Sequence, residues 1–305
     1  MEPAYSTPYE TLDPRFTRCQ GDMRIEQLHE GSRWAEGPVY VPAGRYLLWS
    51  DIPNDRMLRW DETSGSVGVF RAPAGYPNGH TLDFSGRLIS CEHGNRRVTR
   101  TEHDGSISVI ADRYEGKRLN SPNDAVVAAD GAVWFTDATY GIDSDYEGNR
   151  GESEIGARNL YRADPHTGRC TIMAEGFSQP TGIGFAPGQR RLYVADSRAN
   201  HLLTFDVKDD GTLADREVFA SADGAPHVHF DSLDLDDSGR VWLAAGDGVR
   251  CYEPDGTLIG RILTPESTAN VAFGGAKHNR LFICASTSVY AITLGVNGAP
   301  RPFHR

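Results

Sequence analysis

The sequence predicts an all-β protein, a six-bladed β-propeller whose blades are four-stranded antiparallel sheets around a central channel. Five strand-turn-strand units and a degenerate sixth begin at Glu36, Asn78, Asn123, Thr181, Asp231 and Ala269. Their spacings of 42, 45, 58, 50 and 38 residues lie close to the roughly 40–50 residues of a propeller blade. Each unit alternates apolar and polar residues, and no segment sustains a helical apolar period, which disfavours helical repeats.

Each unit supplies an inner strand and a second strand that ends on a small or acidic residue. In the first unit residues 36–40 lead to residues 47–51, and in the third residues 123–127 lead to residues 133–137. Small polar pairs supply turns: Ser85-Gly86, Asp130-Gly131 and Ser238-Gly239. A second hairpin then provides two outer strands in five of the units, starting at residues 58, 98, 160, 203 and 249.

The first residues of the units define a candidate site. Blades are related by rotation about the channel, so their inner strands start at the same face, and we expect these residues to form a ring at one mouth. The carboxylates of Glu36 and Asp231 and the neutral oxygens of Asn123 and Thr181 suit a hard cation such as calcium or another divalent ion. The alternative is a polar lining of a wet channel.

Length and charge narrow the function classes. The 305 residues fit one closed domain at 34–305, preceded by an N-terminal strap at 1–33 that lies over the outside. A net charge of -11 and a pI near 5.4 disfavour nucleic acid and anionic membranes as partners. The five cysteines show no paired short spacing and are interpreted as reduced thiols. We expect a monomer or a weak homo-oligomer.

Two stretches lie outside the repeat. Residues 1–22 contain no apolar run flanked by basic residues, so no signal peptide or membrane span is visible. This favours the cytoplasm, while a periplasmic location stays open if the N-terminus was trimmed. Residues 141–158 form a polar, Gly- and acid-rich insertion in the third unit, which we interpret as a solvated loop, with a flap near the ring as the alternative.

The ring residues stand in longer motifs that resemble the SMP-30/gluconolactonase family, in particular its bacterial gluconolactonase branch. These motifs are Trp34-Ala35-Glu36-Gly37-Pro38, Asn120-Ser121-Pro122-Asn123-Asp124, Phe135-Thr136-Asp137 and Phe230-Asp231-Ser232. Members of this family are calcium-dependent six-bladed propeller hydrolases, and they are also similar to the diisopropylfluorophosphatases. The resemblance extends from about Arg33 to Leu294.

The resemblance implies a role for each ring residue. The metal ligands of the family fall on Glu36, Asn123 and Asp231, and the last is also the family's proposed general base. At Thr181 the sequence departs, because the family usually has an asparagine there. A hydroxyl can still bind calcium directly or through water, but it is a shorter and weaker ligand than an amide. Asp124 is the nearest substitute, although the second residue of Asn-Asp more often points into the sheet.

The activity implied is metal-dependent hydrolysis of a sugar lactone, glucono-1,5-lactone or a related aldonolactone, to the aldonic acid. The metal would polarise the carbonyl while Asp231 takes a proton from water; direct attack by Asp231 is the alternative. Predicted substrate contacts are Asn78, Tyr140, Arg118 and His80. His227 and His229 flank Asp231 and are interpreted as loop histidines. The alternatives are a promiscuous esterase or phosphotriesterase on the same metal and a non-enzymatic ligand-binding propeller.

Overall fold

The computed structural model describes residues 7–222, 225 and 228–300. Two strands precede the blades, β1 (Tyr9–Thr11) and β2 (Glu26–Glu30). The first blade contains β3 (Ala35–Val41), β4 (Tyr46–Asp51), β5 (Arg56–Asp61) and β6 (Val67–Arg71). The second contains β7 (Pro77–Leu82), β8 (Leu88–Glu92), β9 (Arg97–Thr101) and β10 (Ile107–Ala111). A small hairpin of β11 (Arg113–Tyr114) and β12 (Lys117–Arg118) follows.

The remaining blades repeat this order. The third contains β13 (Ser121–Val127), β14 (Val133–Ala138), β15 (Asn159–Ala163) and β16 (Cys170–Ala174). The fourth contains β17 (Pro180–Phe185), β18 (Arg191–Asp196), β19 (His201–Val207) and β20 (Leu213–Ser221). The fifth contains β21 (Leu233–Leu235), β22 (Val241–Ala245), β23 (Gly248–Tyr252) and β24 (Leu258–Ile262), and the sixth β25 (Thr268–Gly274), β26 (Arg280–Ala285) and β27 (Ser288–Thr293). The predicted fold, six four-stranded antiparallel blades, is confirmed.

The N-terminal segment supplies strands to two blades. Strand β2 pairs antiparallel with β27 and becomes the outermost strand of the sixth blade. Strand β1 pairs with β24 and adds a fifth strand to the fifth blade. The pairing of β2 with β27, the last strand among the described residues, closes the ring of blades, and closure protects sheet edges from unwanted pairing.

Helices contribute little to the part of the chain that the structure describes. One short α-helix, α1 (Tyr140–Asp143), follows β14, and 3-10 turns cover Pro14–Cys19, Pro42–Gly44 and Ile52–Asn54. No helix among the described residues has the length and apolar character needed to cross a membrane. The cores lie within and between neighbouring blades, where second-strand tryptophans are fully buried: Trp49, Trp134 and Trp242.

Acidic residues at the ends of several second strands bind the backbone of the segment that precedes the inner strand of the same blade. Each carboxylate accepts a hydrogen bond from a backbone N–H three residues before a ring residue: Asp51 from Arg33 at 2.8 Å, Asp137 from Asn120 at 2.9 Å and Asp196 from Ser178 at 2.8 Å. The repeated acid therefore fixes the segment that places the ring side chain, and this explains why it recurs in the sequence.

Candidate active site

The ring residues lie at irregularities of the inner strands. In five blades the pairing register between the inner and second strands shifts close to the ring: at Glu36/Val39, Pro77/His80, Pro122/Ala125, Pro180/Ile183 and Thr268/Asn270. Such bulges bend the strand and re-aim side chains, and they are frequent next to active sites. In the fifth blade Asp231 precedes β21, and its N–H donates to the carbonyl of Ala244 at 3.1 Å.

The residues that follow the ring positions on the inner strands form a second layer. They are Gly37, Gly79, Asp124, Gly182, Ser232 and Asn270, and glycines pack against polar residues there. A Cβ on Gly79 would lie 2.3 Å from Oδ1 of Asp124, and one on Gly182 would lie 2.4 Å from Cα of Ser232. Ser232 Oγ in turn donates to Asp124 Oδ2 at 2.8 Å. Asp124 therefore points toward its neighbours around the channel and not into its own sheet, contrary to the sequence expectation. The glycines are required because a side chain would displace these contacts.

Glu36 is a buried carboxylate of the ring, 5% exposed. Its Oε2 accepts hydrogen bonds from the N–H of Gly37 at 2.7 Å and from Nδ2 of Asn270 at 2.8 Å. Burial is the main cause that raises the pKa of Glu36 to about 8, and the charges of Asp124 and Glu147 act in the same direction. The two hydrogen bonds lower this pKa, but by less than burial raises it. The sixth blade thus contacts Glu36 through Asn270, one residue beyond the Ala269 expected on the ring, because the bulge shifts the register there.

Asp231 is the second carboxylate of the ring and is partly exposed at its mouth. Desolvation raises the pKa of the Asp231 carboxyl well above its usual range, and the negative charges of Glu36 and Glu147 add to this rise. The hydroxyl of Thr181 donates to the backbone carbonyl of Asp231 at 3.0 Å. That bond uses the hydroxyl proton and leaves the lone pairs of the Thr181 oxygen available.

Asn78 carries a buried amide oxygen without a partner. Nδ2 of Asn78 lies 3.0 Å from Nε2 of His93, and Nδ1 of His93 lies 3.1 Å from the carbonyl oxygen of Glu147. A carbonyl only accepts, so Nδ1 of His93 carries the proton and Nε2 accepts from the Asn78 amide. Burial lowers the pKa of His93 to about 4, which keeps the ring neutral. Oδ1 of Asn78 is then left buried with no hydrogen-bond partner among the described residues.

The donors at this mouth fit a hard cation. They are carboxylate, amide and hydroxyl oxygens, the ligand types that calcium prefers. Within the described part of the chain no three His, Cys, Asp or Glu side chains are grouped closely enough to hold a metal, so carboxylates alone do not form the site. The amides of Asn78 and Asn123, 4% and 7% exposed, therefore matter as neutral oxygen donors.

The predicted substrate contacts fall in three different places. Tyr140, at the start of α1, lies at the mouth, where its hydroxyl is 2.6 Å from Oγ of Ser197. Burial raises the pKa of Tyr140 to about 12, and the charges of Asp231 and Glu147 act in the same direction. His80 lies deeper and lines a channel cavity of about 120 Å³ beyond the ring.

The ring nitrogens of His80 already have partners, Ser50 Oγ at 2.8 Å and Ser90 Oγ at 2.9 Å. Arg118 is partly exposed on the β11–β12 hairpin, and its backbone N–H donates to Glu154 at 2.8 Å. His229 is exposed, and His227 lies outside the described residues.

Residues 141–158 contain many exposed residues, but the segment also contacts the first and second blades. Tyr146 reaches the first blade, where its hydroxyl donates to the carbonyl of Arg33 at 3.3 Å and its ring stacks under the guanidinium at 5.2 Å. Asn149 Nδ2 donates to the carbonyl of Gly94 at 3.4 Å in the second blade. The segment also brings Glu147 to the ring. Sequence reasoning missed this carboxylate because it has no counterpart in the other repeats.

Fold and site together define a class of protein, a six-bladed β-propeller with an acidic cluster of oxygen donors at one mouth of its channel. The sequence profile of the SMP-30/gluconolactonase/LRE-like region matches residues 34–287 of the chain. The chain belongs to this family, as the motifs around Glu36, Asn123 and Asp231 predict.

Individual relatives agree over most of the chain. A gluconolactonase of Zymomonas mobilis is 30% identical over 298 residues, covering 88% of this chain and 80% of that protein. The pentonolactonase XacC of Haloferax volcanii is 29% identical over 260 residues, covering 82% and 81%. The solved structure of a gluconolactonase from Xanthomonas campestris has a TM-score of 0.88 at 36% identity, covering 94% of this chain and 95% of that one.

Proposed function

We propose that this protein is a calcium-dependent lactonase that hydrolyses a sugar lactone, glucono-1,5-lactone or a related aldonolactone, to the aldonic acid. The observation that carries the proposal is the pairing of Glu36 and Asp231 in a desolvated ring where neighbouring charges raise the pKa of both carboxyls. A divalent cation would relieve this repulsion. The gluconolactonase and pentonolactonase relatives support the reaction class.

The residues proposed to hold the cation are Glu36, Asn123, Thr181 and Asp231. Bound there, calcium would polarise the lactone carbonyl and stabilise the oxyanion that develops on it. The second layer supports these ligands: Asn270 and the N–H of Gly37 fix one oxygen of Glu36. Thr181 contributes its lone pairs, since its proton is donated to the carbonyl of Asp231.

Asp231 is the residue proposed to move the proton. In the metal-free chain desolvation and the charges of Glu36 and Glu147 raise the pKa of its carboxyl well above the usual range. A bound cation would favour the ionised carboxylate, the form that accepts a proton. In the proposed step Asp231 accepts the proton of a water molecule that attacks the lactone carbonyl. If Asp231 attacked the carbonyl itself, single turnover in oxygen-18 water would leave label in its carboxylate, and the general-base route would leave none.

Asn78 and Tyr140 are the residues at the mouth proposed to bind the sugar hydroxyls. Oδ1 of Asn78 is an unused acceptor, and the phenol of Tyr140 lies beside Ser197 near Asp231. His80 and Arg118 have less support as sugar contacts. The two ring nitrogens of His80 are occupied by serine hydroxyls, and Arg118 lies on the β11–β12 hairpin, where its backbone N–H donates to Glu154.

The test is lactone hydrolysis with and without a chelator. Acid release from glucono-1,5-lactone and from several other aldonolactones is followed with calcium and with EGTA. The Asp231→Asn variant and a protein-free sample give the spontaneous rate. We expect turnover above that rate with calcium only. No activity on any of these lactones in the presence of calcium would reject the proposal, and equal activity in EGTA would reject the calcium dependence.

A further inference from the structure

Glu147 is held between the two residues proposed to bind the sugar. On one side its carbonyl accepts from His93, which in turn accepts from the amide of Asn78. On the other side the chain packs against the residue after Tyr140: a Cβ on Gly148 would lie 2.2 Å from the carbonyl oxygen of Gly141, and Asn149 N–H donates to that oxygen at 3.0 Å. Contacts on both sides of Glu147 therefore fix its backbone across the mouth.

Glu147 is half-buried, and its backbone carbonyl lies 3.1 Å from Nδ1 of His93 at the mouth. Its carboxylate is close enough to Glu36, Asp231 and Tyr140 for its charge to raise the pKa of each. The carboxylate is partly buried and makes no hydrogen bond or ion pair with any described residue. A desolvated acceptor without a hydrogen bond destabilises the fold, and a ligand that donates a hydrogen bond to it removes this penalty.

We propose that Glu147 is a specificity-determining residue, which accepts hydrogen bonds from the hydroxyl groups of a polyhydroxylated lactone. This rests on the proposed lactonase function and adds a residue that selects the substrate. A carboxylate has two acceptor oxygens and matches hydroxyls on neighbouring carbons, which act as donors. Together, Asn78 Oδ1 and Glu147 offer acceptors from two sides, so a lactone without hydroxyls would leave both unpaired.

The experiment compares two substrates that share the six-membered lactone ring, glucono-1,5-lactone and unsubstituted δ-valerolactone, at saturating calcium. Glu147→Gln and Glu147→Ala are measured against wild type. Glu152→Gln is the matched control, because Glu152 is an exposed carboxylate on the same segment. We expect kcat/KM for gluconolactone to fall about tenfold in Glu147→Gln and further in Glu147→Ala, chiefly through KM. For δ-valerolactone it stays within about twofold of wild type, since that substrate has no hydroxyls to lose contact with.

The outcomes separate this inference from the proposed function. If wild type hydrolyses neither lactone, the proposed function fails. If wild type is active and the ratio of the two kcat/KM values is unchanged in both Glu147 variants, the inference is overturned. An equal loss on both substrates also overturns it, because it would assign Glu147 to the chemistry or the cation. If δ-valerolactone is too slow to measure, calorimetric Kd values of the two corresponding lactams replace kcat/KM, and an unchanged ratio of these Kd values in both Glu147 variants overturns the inference.

Discussion

Replacing Glu36 by Gln should make the calcium-free protein more stable at alkaline pH. Burial raises the pKa of Glu36 from its ordinary value of 4.5 to about 8. When folding raises the pKa of a group, its contribution to stability is fully present below the pKa of the unfolded state. This contribution is lost as the pH rises toward the pKa of the folded state. Calcium-free wild type therefore loses stability between about pH 4.5 and pH 8, whereas the Gln variant has nothing to ionise at this position.

The size of the effect follows from that difference. At about 1.4 kcal/mol for each unit of pKa, ionised Glu36 destabilises the calcium-free fold by about 5 kcal/mol as an upper bound. Gln keeps the local structure, because its Oε1 can accept the same hydrogen bonds from Asn270 and Gly37. We expect Glu36→Gln to exceed wild type by up to about 5 kcal/mol at pH 9 and by less than about 1 kcal/mol at pH 5.

Urea unfolding in EGTA, followed by fluorescence of the buried tryptophans, measures this difference at both pH values. The exposed Glu152→Gln variant is the control and should match wild type at each pH. Calcium should stabilise wild type but not Glu36→Gln, because the variant has lost a charged ligand. If Glu36→Gln is no more stable than wild type in EGTA at pH 9, burial does not raise the pKa of Glu36.

Three further substitutions test other parts of the site. Asp231→Asn should lower lactone turnover by about 10²-fold or more while circular dichroism stays native; retained turnover would remove Asp231 from the mechanism. Thr181→Asn should tighten calcium binding in calorimetry, since an amide reaches further than a hydroxyl, and an unchanged affinity would count against Thr181 as a ligand. Gly79→Ala should destabilise the fold by about 1–3 kcal/mol in urea, because its Cβ would lie 2.3 Å from Asp124; wild-type stability would contradict the second layer.

The blades could be predicted because their signal is repeated. Alternating strands and Gly-containing turns recur at a blade-like period, and the structure places strands where units such as 36–51 and 123–137 predict them. The N-terminal strand Glu26–Glu30 has no such signal. Its side chains are mostly exposed, so its place in the sixth blade depends on pairing with β27 at the far end of the chain.

The site could be predicted only where its residues belong to the repeat. Glu36 and Asp231 stand at equivalent positions of the repeat, so register alone brings them to one mouth. The sequence predicted Ala269 on the ring, but Asn270 is the residue that contacts Glu36. A bulge at residues 268–270 shifts the register and brings the Asn270 side chain to Glu36. Glu147 was missed because it lies in the 141–158 insertion, where no repeat predicts the path and long-range contacts decide it.

Calorimetric titration of calcium into EGTA-stripped protein measures directly whether the ring binds a cation. Wild type is predicted to bind one calcium ion per chain, releasing protons as the raised pKa values of Glu36 and Asp231 require. The heat of binding should disappear in Asp231→Asn and persist in Glu152→Gln. No binding by wild type, or equal binding by Asp231→Asn, would contradict the assignment of the ring as a calcium site.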